Sequence, residues 1–107
     1  MGRPNLRLRQ QVWRVRREGR IFRGRWLHVR LGVSDLDQTL IAVRRRFGKA
    51  VCRNRVRRRI RALCRELVPG GHPGQLLLIS VGDRSGGASF QDLQSDLVAA
   101  FDGLGLT

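Results

Sequence analysis

The sequence predicts an α+β domain whose elements run α-β-β-α-β-α, and three observations carry that prediction. Apolar residues recur at helical spacing in three separate segments, alternate strictly with polar ones in "RWLHVRL", and run without a break in "QLLLISV". The 107 residues have the length of one ordinary domain with a modest core, so residues 1–107 are expected to form a single domain. Residues 1–5 precede the first patterned segment and are expected to be flexible.

The elements follow in order. Leu8 to Arg17 sets Leu8, Val12 and Val15 at helical spacing in a short basic helix that ends at Gly19, and Ile21-Phe22 has the length of a short extra strand. In "RWLHVRL", Leu27, Val29 and Leu31 point one way and Trp26, His28 and Arg30 the other, giving a core face and a face of aromatic, imidazole and guanidinium groups, with Trp26 read either as a stacking platform on that face or as a core residue. Thr39 to Val43 is the next strand, and Val33 to Gln38, with Asp35 and Asp37, is the connecting loop. The long basic segment places Cys52, Val56, Ile60, Leu63 and Leu67 on one narrow helical stripe, with Gly48 marking the turn that leads in and Pro69-Gly70-Gly71 ending it. Asn54, Arg57, Arg58, Arg61 and Arg65 lie opposite the stripe, and Arg55 and Arg59 flank its edge, where their stems can lie along apolar surface. "QLLLISV", Gln75 to Val81, has the pattern of a buried central or parallel strand. Gly82 to Ala88 is a loop. Ser89, with Asp92 three residues on, caps a last helix whose apolar face is Phe90, Leu93, Leu97 and Ala100/Phe101 and whose outer face is mildly acidic.

Charge narrows the function. The chain carries 22 Lys+Arg against 8 Asp+Glu, a net +14 that repels itself until a polyanion neutralises it, so nucleic acid is the expected partner. From Arg44 to Arg65 no acidic residue offers the i,i+4 pairing of an ordinary solvated helix. Catalytic candidates are few. His72 lies in a "GGHPG" loop where a solvated side chain is expected, Asp35 and Asp37 suit turn chemistry, and Glu66 suits surface pairs with its arginine neighbours. Cys52 and Cys64 stand about 18 Å apart along one helix and are expected to be reduced core thiols, with no spacing that suggests a metal site. The chain therefore carries no catalytic and no metal-ligating constellation of its own. No apolar run is long enough to span a bilayer and no targeting segment is evident, so a cytoplasmic protein without membrane contact is expected.

The stretch "RRRFGKAVCRNRVRRRIRALCREL" resembles the signature of the bacterial ribonuclease P protein subunit: a basic pair, a hydrophobic residue and Gly, then A-V-x-R-N-x-[aliphatic]-[K/R]-R. Arg45, Arg46, Phe47, Gly48, Ala50, Val51, Arg53, Asn54, Val56, Arg57 and Arg58 meet it. Leu6-Arg7, Val15, Gly19, Gly24, the strands and the terminal helix extend the likeness over nearly the whole chain. The resemblance implies a ribosomal-protein-like sandwich with a small mixed sheet and a left-handed βαβ crossover. It also implies a protein that docks on a catalytic ribonuclease P RNA, the pair removing 5′ leaders from precursor tRNA by hydrolysis assisted by Mg²⁺ held mainly by the RNA. In that family the arginine-asparagine helix faces the RNA subunit, which assigns Arg45, Arg46, Lys49, Arg53, Asn54, Arg57, Arg58 and Arg61 to that contact. A cleft between the first helix and the sheet receives the leader, which assigns Val12, Arg16, Trp26, His28 and Arg30 to it. No protein partner is evident.

The chain departs from the family at the cleft. Val12, Arg16 and Arg30 stand where aromatics are usual, Trp13 is one step out of register on the helix, and Arg44 replaces a Ser or Gly. Guanidinium charge and stacking are expected to compensate there. Two other readings share the charge: a structural ribosomal or assembly RNA-binding protein, and a stand-alone metal-dependent nuclease, which would need activity without an RNA subunit.

Overall fold

The computed structural model describes residues 6–82 and 89–107; the flexible start expected at residues 1–5 and the loop expected after Gly82 lie outside the described residues. Helix α1 (Leu6–Glu18) leads through Gly19 into strand β1 (Arg20–Arg23), and a turn connects it to β2 (Leu27–Val33). Then come β3 (Thr39–Val43), a 3-10 turn (Arg45–Phe47), α2 (Ala50–Leu67), β4 (Gln75–Val81) and α3 (Phe90–Gly103). The sheet order is β1-β2-β4-β3, antiparallel except for the parallel pair β3–β4, so the expected mixed sheet and βαβ unit are present, with α2 as the crossover. Ile21-Phe22 is the centre of a full edge strand, β1.

The two faces of the sheet are covered unequally. Leu27, Val29 and Leu31 of β2 and Leu77, Ile79 and Val81 of β4 enter a core closed by Ile60 and Leu63 of α2 and by Leu93, Leu97 and Phe101 of α3. The intervening β4 residues, Leu76 and Leu78, meet Val15 of α1 on the other face. Successive residues of a strand point to opposite faces, so a strand covered on both must be apolar throughout, which accounts for "QLLLISV". On β2 the second face is His28, Arg30 and Gly32, with Gly32 beneath Val15 of α1 and His28 exposed. A Cβ at Gly32 would fall 2.7 Å from Val15 Cγ2, so glycine is what lets the helix approach. Because α1 covers only one end of that face, the other end is left open.

Three sequence expectations change. The alternation that groups Trp26 with His28 and Arg30 stops at Leu27: the chain bends at Arg25 and Trp26, and the indole packs against the larger core instead. The cause is Asp96 of α3, whose Oδ2 accepts the N–H groups of Trp26 at 2.6 Å and of Leu27 at 3.2 Å. Gly24 serves the same arrangement, since a Cβ there would come 2.5 Å from Asp96 Oδ2. Cys52 is exposed rather than a core thiol, because the first turn of α2 overhangs the core and burial in the stripe begins at Val56. Cys64 is half-buried, and that burial pushes its thiol up to about 11 against the opposing influence of Arg61. His72, expected to be solvated, is half-buried with both ring nitrogens engaged: Nε2 with the Thr39 hydroxyl at 2.7 Å and Nδ1 with the Gln75 carbonyl at 3.0 Å.

Candidate nucleic-acid interface

Helix α2 turns its apolar stripe inward, with Ile60 and Leu63 buried and Val56, Cys64 and Leu67 packed around them. That packing fixes the rotation of the helix and so presents the opposite face to solvent. Asn54, Arg58, Arg61 and Arg65 are exposed along this face, with Lys49, Arg45 and Arg46 exposed just before it. Arg57 Nη1 donates to Asn54 Oδ1 at 2.7 Å, and the Asn54 amide N–H groups have no partner among the described residues. Arg53 is half-buried, and its Nη1 donates to the Gly48 carbonyl at 2.8 Å, so it braces the turn before the helix as well as adding charge. Arg59 lies with its guanidinium 5.1 Å from the centre of the Phe90 ring, at the apolar edge where the helical angle puts it.

The carboxylates sit elsewhere. Asp92 closes the capping box with Ser89, Asp96 holds the β1–β2 turn, Asp102 accepts from the Thr107 hydroxyl, and Asp37 accepts from the Gly74 N–H. Asp35 pairs with Arg7, and Glu18 with Arg14. Glu66, expected to pair with its neighbours, makes no ion pair among the described residues, and no carboxylate there lies within ion-pair distance of an α2 arginine. The described aspartates and Glu18 pin the backbone and the first helix, and Arg58, Arg61 and Arg65 stand exposed on α2 with no ion pair among the described residues.

A second surface lies on the opposite side of the sheet. A groove of about 400 Å³ runs between α1 and the β3 edge, lined by Leu8, Arg9, Val12, Trp13, Arg16 and Leu40. Strand register continues it onto the open sheet: Leu40, Leu78, Arg30 and Ile21 form one cross-strand row, and Ala42, Ser80, His28 and Arg23 form the next. Of the residues assigned to a cleft from sequence, Val12 and Arg16 line the groove, and His28 and Arg30 lie on the adjoining face. Trp26 is absent from it. Trp13, 66% exposed, takes a place on the groove wall that the sequence reading left out, along with Arg9 and Leu40. The signal was available: residues 8, 12 and 16 share one helical face, and an indole one step from Val12 is long enough to lean over that edge.

Apolar walls, an exposed indole and several guanidinium groups suit unpaired nucleotides, whose bases stack while their phosphates meet charge. The outer face of α2 presents charge and one amide, with no apolar wall, which suits the backbone of a folded polyanion. Among the described residues no three His, Cys, Asp or Glu side chains converge to hold a metal ion. No helix among them is long and apolar enough to cross a membrane.

Comparisons with known proteins identify the family and the fold. A family model described as Ribonuclease P matches residues 3–105. The chain is 39% identical over 92 residues to the ribonuclease P protein component of Thermus scotoductus, covering 84% of this chain and 54% of that protein. It is 39% identical over 96 residues to that of Chloroflexus aggregans, covering 87% and 71%. The chain thus spans about half the length of the Thermus relative. Among solved structures, the RNase P protein of Thermotoga maritima superposes with a TM-score of 0.71 at 24% identity, over 89% of this chain and 94% of that one. The RNase P protein of Staphylococcus aureus gives 0.77 at 17% identity, over 91% of each. At those identities the superpositions establish a shared fold.

Proposed function

We propose, on the premise that the chain belongs to the ribonuclease P protein family, that it is the protein subunit of a ribonuclease P holoenzyme, a cytoplasmic endoribonuclease that removes 5′ leaders from precursor tRNA. The observation that carries this reading is the pair of cationic surfaces on opposite sides of one sheet. The α2 face, with Arg45, Arg46 and Lys49 leading into Asn54, Arg57, Arg58 and Arg61, binds the phosphates of the RNA subunit. The groove with Val12, Trp13 and Arg16, together with His28 and Arg30 on the open sheet, receives the single-stranded leader. Arg53 supports the first surface by holding the turn at Gly48.

Hydrolysis belongs to the RNA subunit, with Mg²⁺ held there. What supports this is the donor set of the chain: its described aspartates are hydrogen-bonded to the N–H groups or hydroxyl they position, or paired with Arg7. The protein adds charge neutralisation and grip on the leader, which lowers the Mg²⁺ needed to assemble the complex. A ribosomal or assembly protein would share the charge, but the family match over residues 3–105 favours the ribonuclease P reading.

Reconstitution tests the proposal. Mixed with a bacterial ribonuclease P RNA and precursor tRNA at low Mg²⁺, the protein should accelerate leader release, and the protein alone should cleave nothing. Cleavage without the RNA would make it a nuclease in its own right, and no stimulation would remove the assignment.

A further inference from the structure

A pocket of about 310 Å³ opens on the helical side of the sheet, at the carboxyl-terminal end of α2, away from the leader groove. The buried Leu77 and Phe101 give it an apolar floor, and the exposed Arg61 and Arg65 are among its lining residues. His72 stands as one wall. Nδ1 donates to the Gln75 carbonyl and Nε2 is hydrogen-bonded to the Thr39 hydroxyl, so the two bonds hold the imidazole in one orientation as a fixed aromatic surface. Among the described residues no carboxylate lines the pocket, and the Cys64 thiol on its wall stays neutral because burial raises its pKa to about 11. The volume is at the lower end of ligand pockets, roughly 300–1,000 Å³, and admits one flat ring with its sugar but no helix.

Arg61 and Arg65 belong both to this lining and to the outer face of α2. An RNA that follows the arginines along the helix is therefore led to the pocket mouth. We infer that this pocket takes a single unpaired nucleotide of the RNA subunit, its base against the His72 ring over the Leu77 and Phe101 floor and its phosphates on Arg61 and Arg65. The inference rests on the reading of α2 as the RNA-subunit face. It adds an anchor to what is otherwise a contact with phosphates alone, and so fixes where along the RNA the helix sits.

The test uses the full chain assembled with a bacterial ribonuclease P RNA. Val68, half-buried on the pocket wall, is replaced by the larger Val68→Trp to fill the space, and the exposed Arg65 by Arg65→Ala. Val68→Trp should weaken RNA-subunit binding about fivefold or more, the lower end of what one stacked base contributes, with the salt dependence unchanged. Arg65→Ala should weaken binding and lower the salt slope by about one. Ultraviolet cross-linking of the wild-type assembly should attach one nucleotide to His72 or Cys64. Normal affinity in Val68→Trp overturns the inference, including when Arg65→Ala is weakened, since that is a surface phosphate contact over an empty pocket. If Val68→Trp does not fold, the cross-link decides, and its absence overturns the inference. Failure of the wild-type chain to bind the RNA at all would instead overturn the proposed function.

Discussion

Trp13 and Trp26 show how a single side chain changes role with the direction it faces. Trp26 packs against the larger core and Trp13 stands exposed on the groove wall. Trp26→Ala should therefore destabilise the fold, by about 1–3 kcal/mol given its partial burial, in urea unfolding. Trp13→Ala should leave the unfolding midpoint within about 0.5 kcal/mol of wild type and weaken binding of long-leader precursor tRNA by roughly 5- to 150-fold relative to mature tRNA. A selective loss of precursor binding in Trp26→Ala with stability intact would return that residue to the cleft. The two cysteines separate in the same way. Cys64 has a folded pKa of about 11 against an ordinary 9.0, so the fold favours its neutral form; the stability this contributes is complete below about pH 9 and is lost as pH rises through about 11. Because the thiolate is the reactive form, alkylation at pH 8.5 should modify Cys52 rapidly and Cys64 slowly, and a Cys52→Ser variant should label at an appreciable rate only toward pH 11. Equal rates at both thiols would contradict the burial of Cys64.

Helix α2 has two faces with different duties, and substitutions should split accordingly. Ile60 is fully buried between the sheet and α3, so Ile60→Ala should cost about 2–5 kcal/mol of stability through the cavity it leaves, read as a shift in denaturant midpoint with m unchanged. Arg58 is exposed, with no ion pair among the described residues, so Arg58→Ala should leave stability within about 0.5 kcal/mol of wild type. Its effect belongs in RNA-subunit affinity, where the slope of log K against log salt should fall by about one. A large stability loss in Arg58→Ala, or an unchanged slope, would mean the guanidinium is engaged by the protein itself. Both faces were legible as helical angles because the 3.6-residue period and burial agree over most of the helix. The exception, Cys52, sits where the helix has run beyond the core, and periodicity carries no information on where a partner surface ends.

At the scale of the molecule, the charges are sorted by sign. The described aspartates hold turns, caps and the first helix, and exposed cations gather on α2, on the turn before it and on the groove wall of a chain of net +14. That arrangement stores self-repulsion in the free protein. Raising ionic strength from about 0.01 M to about 0.15 M shortens the screening length from about 30 to about 8 Å, and should raise the melting temperature of the free protein by several degrees in calorimetry. Adding the RNA subunit at low salt should raise it further by mass action. A melting temperature that falls with salt would show that internal ion pairs, rather than repulsion, dominate its electrostatics.

The sequence by itself determined the order of elements, the apolar stripe of α2, the capping box at Ser89 and the cationic face, because each depends on neighbours within a few residues and on a period of 2 or 3.6. It also carried the family signature from Arg45 to Arg58, and the helical angle set Asn54, Arg58, Arg61 and Arg65 on the face that is exposed. The groove was legible only in part. Alternation placed His28 and Arg30 on one strand face and the family resemblance pointed to Val12 and Arg16, but neither told that Trp26 turns to the core while Trp13 stands on the groove wall. The turn of Trp26 was decided by Asp96, seventy residues from it, whose carboxylate captures two N–H groups and bends the chain before the strand begins. The pocket at the end of α2 likewise joins Thr39, His72 and Phe101 from three distant segments. Contacts between such segments exist only once the sheet has formed and packed, and no local period records them.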